Sequence, residues 1–329
     1  MKALSLVEKG KIEIVDKPKP TLKTGQVLVK VLAAALNKRD QFIREGKYPG
    51  IKVGTTLGSD AVGMVESVGD EVDTSWIGKT VMINPNIKWG DNPEVQSREY
   101  SILGQPDDGT FAEYVAVEES RIYEKPGYLN LTEAAAFPLA GLTAYRACFH
   151  HGHITADKNV LISGFGGGVA QFAFQFAVAE GARVYVSSSN EEKLKRALDM
   201  GAVGSFNYNE EWNKNLWQTR GGFDLVIDSA GGDQINQFIK MMRPAGRIVF
   251  YGATNGLPAN LDLYRMFWNQ ITLQGSTMGS DQEYEKMLDF IEDKKIKPLI
   301  DSARPFDEII SAFDDMANNS KLGKLVIEL

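Results

Sequence analysis

The sequence of 329 residues contains one cysteine, three histidines and no long hydrophobic run. Cys148 has no second cysteine with which to form a disulfide, and one thiolate does not build a zinc site, so we expect a small buried residue there. No apolar run reaches the roughly 20 residues that a membrane-spanning helix needs. The opening stretch MKALSLVEKGKIEIVD lacks the apolar segment of a secretory signal. These absences argue against a disulfide scaffold and a membrane partner, and we expect a cytoplasmic protein.

An excess of positive charge is also missing. The 36 Lys and Arg residues are outnumbered by 43 Asp and Glu residues, which gives a net charge of -7 and a pI near 5.2. Affinity for a nucleic-acid backbone comes largely from clustered Lys and Arg, so we expect no nucleic-acid partner. The 43% apolar and 24% charged content is that of an ordinary globular protein.

The three histidines all lie in one stretch, FHHGHITADKN, at His150, His151 and His153. Such a cluster is compatible with a metal site. Because the stretch precedes a predicted strand and follows a predicted helix, we expect these side chains at the surface instead.

The length predicts two domains, since one domain typically takes roughly 100 to 200 residues. Residues 1 to about 125 read as short strands separated by Gly, Pro and Asp. From residue 158 strands alternate with helices, which predicts a parallel, doubly wound α/β sheet. Its predicted strands are NVLISG, RVYVSS, GSFNY, FDLVIDSA, GRIVFYG and ITLQGS. After residue 280 we predict two amphipathic helices and a closing strand, GKLVIEL, which return to the first domain.

A glycine-rich turn joins the first of these strands to a helix, in LISGFGGGVAQFAFQFA at residues 161–177. The free N–H groups and partial positive charge of a helix N-terminus attract a pyrophosphate, and residues without a Cβ let it approach. We therefore predict a dinucleotide site rather than a purely structural turn. The candidate contacts are Gly164, Gly166, Gly167, Gly168 and Val169.

The end of the second predicted strand bears on which dinucleotide binds. An NAD site places Asp or Glu about 20 residues after the glycine fingerprint, where the acid binds the ribose 2′-hydroxyl. This sequence instead reads YVSSSNEEKLKR. The candidate contacts Ser188, Ser189 and Lys193 suit a 2′-phosphate, so we predict NADPH, with NADH left open. The alternative is structural, because Ser189 with Glu192 also matches a capping box and Lys193 also fits a solvated helix position.

Further motifs are spread over nearly the whole chain. They are GQVLVKV, ALNKRD, GKYP, LGSDAVGMVESVG, GTFAEYVAV, AAAFPLAGLTAY, EEKLKRALDMGA and GKLVIEL. Together with the glycine turn they resemble the medium-chain dehydrogenase/reductase superfamily, within it the zinc-independent quinone oxidoreductase-like branch. The resemblance implies a GroES-like, mostly β substrate domain at 1–125 and 279–329 and a Rossmann dinucleotide-binding domain at 126–278. It also implies an active site in the cleft between them and a homodimer formed through the edge strand ITLQGS.

The metal ligands of zinc-dependent relatives are missing at the corresponding positions. By the resemblance, Asn37 stands in the place of a catalytic Cys, and Ser59 with Asp60 in the place of a His-Glu pair. An apolar residue near Leu139 stands in the place of a further Cys. The segment NPNIKWGDNPEVQSREYSILGQPDDG, which would hold a four-Cys structural zinc, contains no cysteine. These donors are not the thiolates and imidazoles that bind zinc tightly, so we expect no metal.

The resemblance supplies three candidate catalytic residues. Asn37 would donate a hydrogen bond to the substrate oxygen or order the site, Tyr48 would bond that oxygen or relay a proton, and Thr143 would lie near the nicotinamide. Each has a structural alternative, namely a turn for Asn37, packing beside Pro49 for Tyr48 and a helix cap for Thr143. Phe42 stands where relatives have a second pocket tyrosine, so their substrate preference does not carry over.

Three more residues are candidate cofactor contacts. Tyr208 resembles the tyrosine that lies beside the adenosine in the family. Gly252 and Thr254 follow the fifth predicted strand of the parallel sheet, at the edge where open α/β sheets bind ligands.

These features predict an NADPH-dependent, zinc-free oxidoreductase that transfers hydride to a quinone or an α,β-unsaturated carbonyl. Without a metal to polarise a carbonyl, the site suits acceptors that conjugation already activates. Two alternatives stay open, an alcohol dehydrogenase with an atypical metal site and a non-catalytic, crystallin-like nucleotide-binding protein.

Overall fold

The computed structural model describes residues 1–210, 221–316 and 321–329. The chain divides into two compact units, Met1–Ala140 together with Ser280–Leu329, and Gly141–Gly279. Residues 126–140, which the sequence-based boundary placed in the second domain, group with the first unit. The functional domain boundaries, which rest on the family resemblance, stay a prediction. Among the described helices, none has the length and apolar character to cross a membrane.

The first part of the chain is mostly β, because runs of Val, Ile and Leu alternate with turns rich in Gly and Pro. The strands are β1 (Lys2–Glu8), β2 (Lys11–Asp16), β3 (Gln26–Ala35), β4 (Asp60–Val68), β5 (Thr80–Ile83), β6 (Asn86–Ile87), β7 (Ser101–Ile102), β8 (Tyr114–Glu118) and β9 (Ile122–Glu124). The helices are α1 (Lys38–Arg44), α2 (Leu131–Ala135) and α3 (Pro138–Tyr145), with 3-10 turns at Thr74–Trp76 and Glu119–Arg121 and a π-helix at Arg146–His151.

The second unit contains a parallel sheet of six strands, and each predicted strand is present. The strands are β10 (Asn159–Ile162), β11 (Arg183–Ser188), β12 (Gly204–Asn207), β13 (Phe223–Asp228), β14 (Met242–Phe250) and β15 (Thr272–Gly275). The described helices between them are α4 (Gly168–Ala179), α5 (Glu191–Asp199), α6 (Gln234–Met241) and α7 (Leu263–Asn269). The spatial order is β12-β11-β10-β13-β14-β15, and every pairing is parallel. The order reverses beside β10, which confirms the doubly wound sheet and places the glycine turn at the switch point.

The last part of the chain completes the sheet of the first unit. It comprises α8 (Asp281–Lys294), β16 (Ile300–Pro305), a 3-10 turn (Phe306–Glu308), α9 (Ile309–Asp315) and β17 (Lys324–Glu328). β17 pairs antiparallel with β3 and parallel with β16, so the sheet runs β16-β17-β3-β4-β5-β9, with β8 also paired to β3. Ser280 begins α8 with a capping box, in which its Oγ accepts a hydrogen bond from Glu283 N at 3.2 Å.

Candidate active site

The glycine turn between β10 and α4 leaves open space beside a helix N-terminus. Gly164 and Gly166 have φ angles of +64° and +124°, which glycine adopts readily and other residues rarely do. Gly167 is the N-cap of α4, and Gly168 and Val169 are its first two residues. Gly164 and Gly167 are exposed. The nearest atom to an added Cβ would be 3.6 Å away at Gly164 and 3.8 Å away at Gly167, so the turn leaves room beside the helix N-terminus, which fits a pyrophosphate.

The ammonium group of Lys193 lies against this turn. A Cβ atom on Gly166 would lie 2.7 Å from Lys193 Nζ, so the missing side chain leaves the space that the lysine uses. Lys193 is buried, and its interpretation as a solvated helix residue is therefore wrong. The capping box of Ser189 with Glu192 is wrong too, because α5 begins one residue later. Its N-cap is Asn190, whose Oδ1 accepts a hydrogen bond from Lys193 N at 3.1 Å.

The serine run connects the glycine turn to the neighbouring strand end. Ser187 Oγ accepts a hydrogen bond from Gly164 N at 3.4 Å. Tyr208 donates its hydroxyl to Ser189 Oγ at 3.0 Å and its backbone N–H to Ser188 O at 3.3 Å. The candidate cofactor residues of both strand ends are thus adjacent in space.

Gly252 and Thr254 lie at the same edge of the sheet, beyond the end of β14. A Cβ atom on Gly252 would lie 2.7 Å from Ser229 O, so glycine permits two neighbouring loops to approach closely. Thr254 is exposed. Their contact with a cofactor stays a prediction.

Sequence reasoning missed Asp228, the last residue of β13. Its buried carboxylate accepts hydrogen bonds from Ser163 Oγ and from the backbone N–H groups of Ala230 and Gly231, the last two at 3.1 and 2.7 Å. Burial raises the pKa of this carboxyl, while the hydrogen bonds oppose the shift. Asp228 thereby joins the loop after β13 to the end of β10. An acid closing a buried strand, in FDLVIDSAGG, is the signal that could have identified it.

A buried polar cluster forms around Asn37 in the first unit. Asn37 Nδ2 donates a hydrogen bond to Asp60 Oδ2 at 2.9 Å, and Asn37 Oδ1 accepts one from Lys324 Nζ at 2.6 Å. Lys324 Nζ also lies 3.1 Å from Asp60 Oδ2, and Leu139 N donates to Asp60 Oδ1 at 2.8 Å. The positions that the resemblance linked to metal binding, Asn37, Asp60 and Leu139, therefore meet at one carboxylate.

Lys324 is the member of this cluster that sequence reasoning missed, although it stands in the quoted motif GKLVIEL. It is buried, and β17 brings it beside Asn37 because β17 pairs with β3, the strand that leads into α1. Burial raises the pKa of Asp60, while Lys324 and Asn37 oppose the shift. A lysine that follows a glycine in the predicted closing strand gives no local signal of burial. Only the long-range strand pairing shows that Lys324 is buried.

Two family models match the chain. The alcohol dehydrogenase GroES-like domain matches residues 23–127, and the zinc-binding dehydrogenase matches residues 168–293. The sequence is 37% identical to the zinc-type alcohol dehydrogenase-like protein YogA of Leptosphaeria maculans, over 97% of this chain and 94% of that protein. The chain belongs to the medium-chain dehydrogenase/reductase superfamily.

Other medium-chain dehydrogenase/reductase proteins agree in sequence and in fold. The quinone oxidoreductase of Mus musculus is 29% identical over 100% of this chain and 98% of its own. The crystal structure of an NAD-dependent alcohol dehydrogenase superposes with a TM-score of 0.95 at 32% identity, and the match covers 100% of both chains. The GroES-like and Rossmann folds are thereby confirmed. The protein is an oxidoreductase of this superfamily that depends on a nicotinamide dinucleotide.

The cluster around Asn37 does not fit the catalytic zinc ion of metal-dependent medium-chain dehydrogenases. An amide and a hydroxyl, at Asn37 and Ser59, are weak zinc donors. Both oxygens of Asp60 already accept hydrogen bonds, and the Lys324 ammonium stands 3.1 Å from one of them. Among residues 1–210, 221–316 and 321–329, no group of three or more His, Cys, Asp or Glu side chains could hold a metal ion.

The remaining candidate catalytic residues lie in different units. Tyr48 belongs to the first unit, and its ring lies under the guanidinium of Arg39, with 4.9 Å between Arg39 Cζ and the ring centroid. Thr143 belongs to the second unit, where its Oγ1 lies 3.7 Å from Met278 Sδ. Thr143 stands inside α3, so its interpretation as a helix cap is wrong. The catalytic roles of Asn37, Tyr48 and Thr143 stay predictions.

The histidine stretch is only partly exposed. His153 is exposed, whereas His150 and His151 are half-buried in the π-helix, and His151 Nε2 accepts a hydrogen bond from Arg146 Nε at 3.1 Å. The surface prediction is therefore right for one of the three histidines. Cys148 is fully buried, as predicted.

Proposed function

We propose that this protein reduces quinones or α,β-unsaturated carbonyl compounds with NADPH and without a metal ion. The observation that carries the proposal is the Lys324–Asp60–Asn37 cluster, in which a buried cation contacts Asn37 and Asp60, two positions that the family resemblance links to zinc ligands. A reduced nicotinamide supplies the hydride. Acceptors that conjugation already activates need less polarisation than simple ketones do.

Within this proposal Asn37 binds the substrate oxygen. Lys324 Nζ donates to Asn37 Oδ1 at 2.6 Å, and this contact fixes which way the amide group faces. One N–H of Nδ2 then donates to Asp60, and the other is the donor that we assign to the substrate. A donor held by two buried partners costs little reorganisation when charge develops on that oxygen.

The preference for NADPH rests on the strand end and on Lys193. Ser187 and Ser188 end β11, Ser189 follows it, and Lys193 Nζ lies against the glycine turn. Hydroxyl donors and a cation stabilise a 2′-phosphate, whereas an acid at this place would repel it.

Two alternatives stay open beside this proposal. One solved relative is an NAD-dependent alcohol dehydrogenase, which supports alcohol dehydrogenase activity as the first alternative. The other is a non-catalytic nucleotide-binding protein, since a fold can persist without turnover.

We also propose that the protein forms a homodimer through the edge of the parallel sheet. β15 ends the strand order, and the preceding helix α7 exposes Tyr264 by 82% and Trp268 by 79%. Large exposed aromatic side chains and an open strand edge are each characteristic of a surface that a partner covers. A cytoplasmic location stays a prediction from the sequence.

The test is a steady-state assay of nicotinamide oxidation by the purified protein. NADPH and NADH are compared with p-benzoquinone, phenanthrenequinone and methyl vinyl ketone as acceptors, and acetone and ethanol serve as alcohol dehydrogenase substrates. We expect turnover with the conjugated acceptors, a higher kcat/KM with NADPH, and the same rate after treatment with a chelator. Turnover of ethanol and acetone alone, together with one bound zinc ion per chain, would contradict the proposal. Tight binding of NADPH without turnover of any acceptor would also contradict it.

Two substitutions on helix α5 test the preference for NADPH over NADH. Lys193→Ala removes the buried ammonium and should raise the KM for NADPH about tenfold, while the KM for NADH changes little. Lys195→Ala removes an exposed lysine from the same helix and should leave both values unchanged. Equal effects of Lys193→Ala on the two cofactors would contradict the 2′-phosphate assignment.

A further inference from the structure

We infer that Arg39 is the charged group that binds the substrate carbonyl oxygen. This inference rests on the proposed function and assigns it a catalytic residue. Arg39 lies in the first turn of α1, two residues after Asn37, and only 8% of its surface is exposed. An arginine this deeply buried needs partners for its whole guanidinium group.

The protein contacts the guanidinium of Arg39 in two ways, through hydrogen bonds from Nη1 and through the ring of Tyr48. Arg39 Nη1 donates to Ser59 Oγ at 2.6 Å and to Leu103 O at 3.0 Å. Ser59 Oγ in turn donates to Leu103 O at 2.8 Å. Arg39 Cζ lies over the Tyr48 ring, 4.9 Å from the ring centroid. These contacts fix the position and tilt of the group before any ligand arrives.

The opposite edge of the guanidinium is unsatisfied. Arg39 Nε and Nη2 are buried and have no hydrogen-bond partner among the residues that the structure describes. The N–H bonds of Nε and Nη2 are parallel and form the rigid fork with which arginine binds an anionic oxygen. A buried donor left unpaired is costly, and a charged one more so, which indicates that an acceptor belongs there.

The charged neighbours of Arg39 do not supply this acceptor. Asp40 Oδ2 accepts a hydrogen bond from Asn37 N at 2.8 Å, and Asp40 Oδ1 is buried without a hydrogen-bond partner among the described residues, as the fork is. The charge of Arg39 opposes the raised pKa of Asp40, but no hydrogen bond within the described part of the chain joins the two side chains. Asp60 is engaged by Asn37, Lys324 and Leu139. The fork is therefore left for a ligand oxygen that carries or gains negative charge.

A conjugated carbonyl compound provides such an oxygen. When a hydride adds to the carbon conjugated with the carbonyl, a new C–H bond forms and the electron pair of the π system moves to the oxygen. The acceptor gains two electrons, the reduced nicotinamide loses two, and a proton from solvent neutralises the product. The guanidinium fork stabilises the oxygen at the stage of highest charge, which a metal ion does in zinc-dependent relatives.

The test uses the full-length enzyme with three substitutions, Arg39→Gln, Arg39→Lys and Arg39→Ala. Loss of the fork should lower kcat about 10²- to 10³-fold with methyl vinyl ketone while the Kd for NADPH, measured by fluorescence titration, stays unchanged. Arg39→Lys keeps the charge without the fork and should retain more activity than Arg39→Gln. Added guanidinium at non-denaturing concentration should restore part of the activity of Arg39→Ala, which a merely structural arginine would not show.

Arg44→Gln is the matched control, because Arg44 belongs to the same helix and pairs with Asp314 Oδ1 at 2.6 Å instead. It should turn over like the unchanged protein. The inference is wrong if Arg39→Gln keeps kcat within about threefold, or if activity is lost without rescue. If the unchanged enzyme reduces no acceptor, the proposed function fails. Calorimetric titration with benzoate then tests whether Arg39 binds an anion. Benzoate binding that Arg39→Gln abolishes would retain the anion site, and equal binding to both proteins would exclude it.

Discussion

Four buried charged side chains belong to the polar cluster of Asn37 or to the helix that Asn37 begins, and the environment of each sets its charge. Arg39, Asp40, Asp60 and Lys324 are each at most 8% exposed. Two cations and two carboxylates balance formally, but only Asp60 and Lys324 contact each other directly. Ionised Asp40 is stabilised by the charge of Arg39, to which no hydrogen bond joins it, and by a hydrogen bond from the backbone N–H of Asn37, which is less than a direct ion pair provides. The free-energy cost of burying a charge is therefore largest for Asp40.

This difference leads to a pH-dependent stability. Burial raises the pKa of Asp40 from 3.8 to about 6, with Arg39 and Asn37 opposing the shift. A carboxyl whose pKa is raised on folding favours the folded state below its unfolded pKa, and that contribution is lost as the pH rises through the folded value. Between pH 4 and pH 7 the free energy of unfolding of the unchanged protein should therefore fall relative to Asp40→Asn, by up to about 3 kcal/mol.

Urea unfolding of both proteins at several pH values measures this difference. Asn keeps an oxygen that can accept from Asn37 N, so the variant removes the charge and leaves the hydrogen bond possible. Parallel pH profiles for the two proteins would show that Asp40 does not titrate in this range.

At the scale of an element, the unit formed by β10, the glycine turn and α4 combines two requirements. The helix must begin close to the strand end, and its N-terminal N–H groups must stay accessible. Gly166 meets both, since its φ of +124° allows the tight turn and its missing Cβ leaves room for Lys193.

Gly166→Ala should therefore weaken cofactor binding more than it weakens the fold. The substitution strains the backbone and displaces Lys193 Nζ, so we expect the Kd for NADPH to rise about tenfold or more. Gly181→Ala is the control at the other end of α4, where φ is +88° and the nearest atom to an added Cβ is 3.3 Å away. It should lower the melting temperature similarly and leave the Kd unchanged. Equal Kd values for the two variants would argue against a phosphate at the turn.

At the scale of the whole molecule, the proposed homodimer predicts where a single charge disrupts assembly. Trp268→Glu introduces a carboxylate on α7, the helix that precedes β15 in the chain and exposes large aromatic side chains. We expect the mass measured by light scattering to fall from that of a dimer to that of a monomer.

Leu198→Glu is the matched control for this test. Leu198 is exposed on α5, which packs at the opposite edge of the sheet beside β12, and its substitution should leave the mass unchanged. A monomeric mass for the unchanged protein would refute the dimer, and a dimeric Trp268→Glu would place the interface elsewhere.

The sequence by itself determined the features that depend on neighbours along the chain. The alternation of strands and helices and the glycine turn are local patterns, because hydrogen bonding and side-chain period within a short segment decide them. All six strands of the parallel sheet and the turn at its switch point were predictable for this reason.

Only the tertiary structure decided which charges meet. Asn37 and Lys324 are 287 positions apart, and their contact exists because β17 pairs with β3. The unpaired edge of Arg39 is equally invisible in ALNKRD, since it depends on Ser59, Leu103 and Tyr48 occupying the other sides of the group. The physical reason is that Coulomb energy and desolvation depend on distance and burial in space, and neither quantity is encoded in residue spacing along the chain.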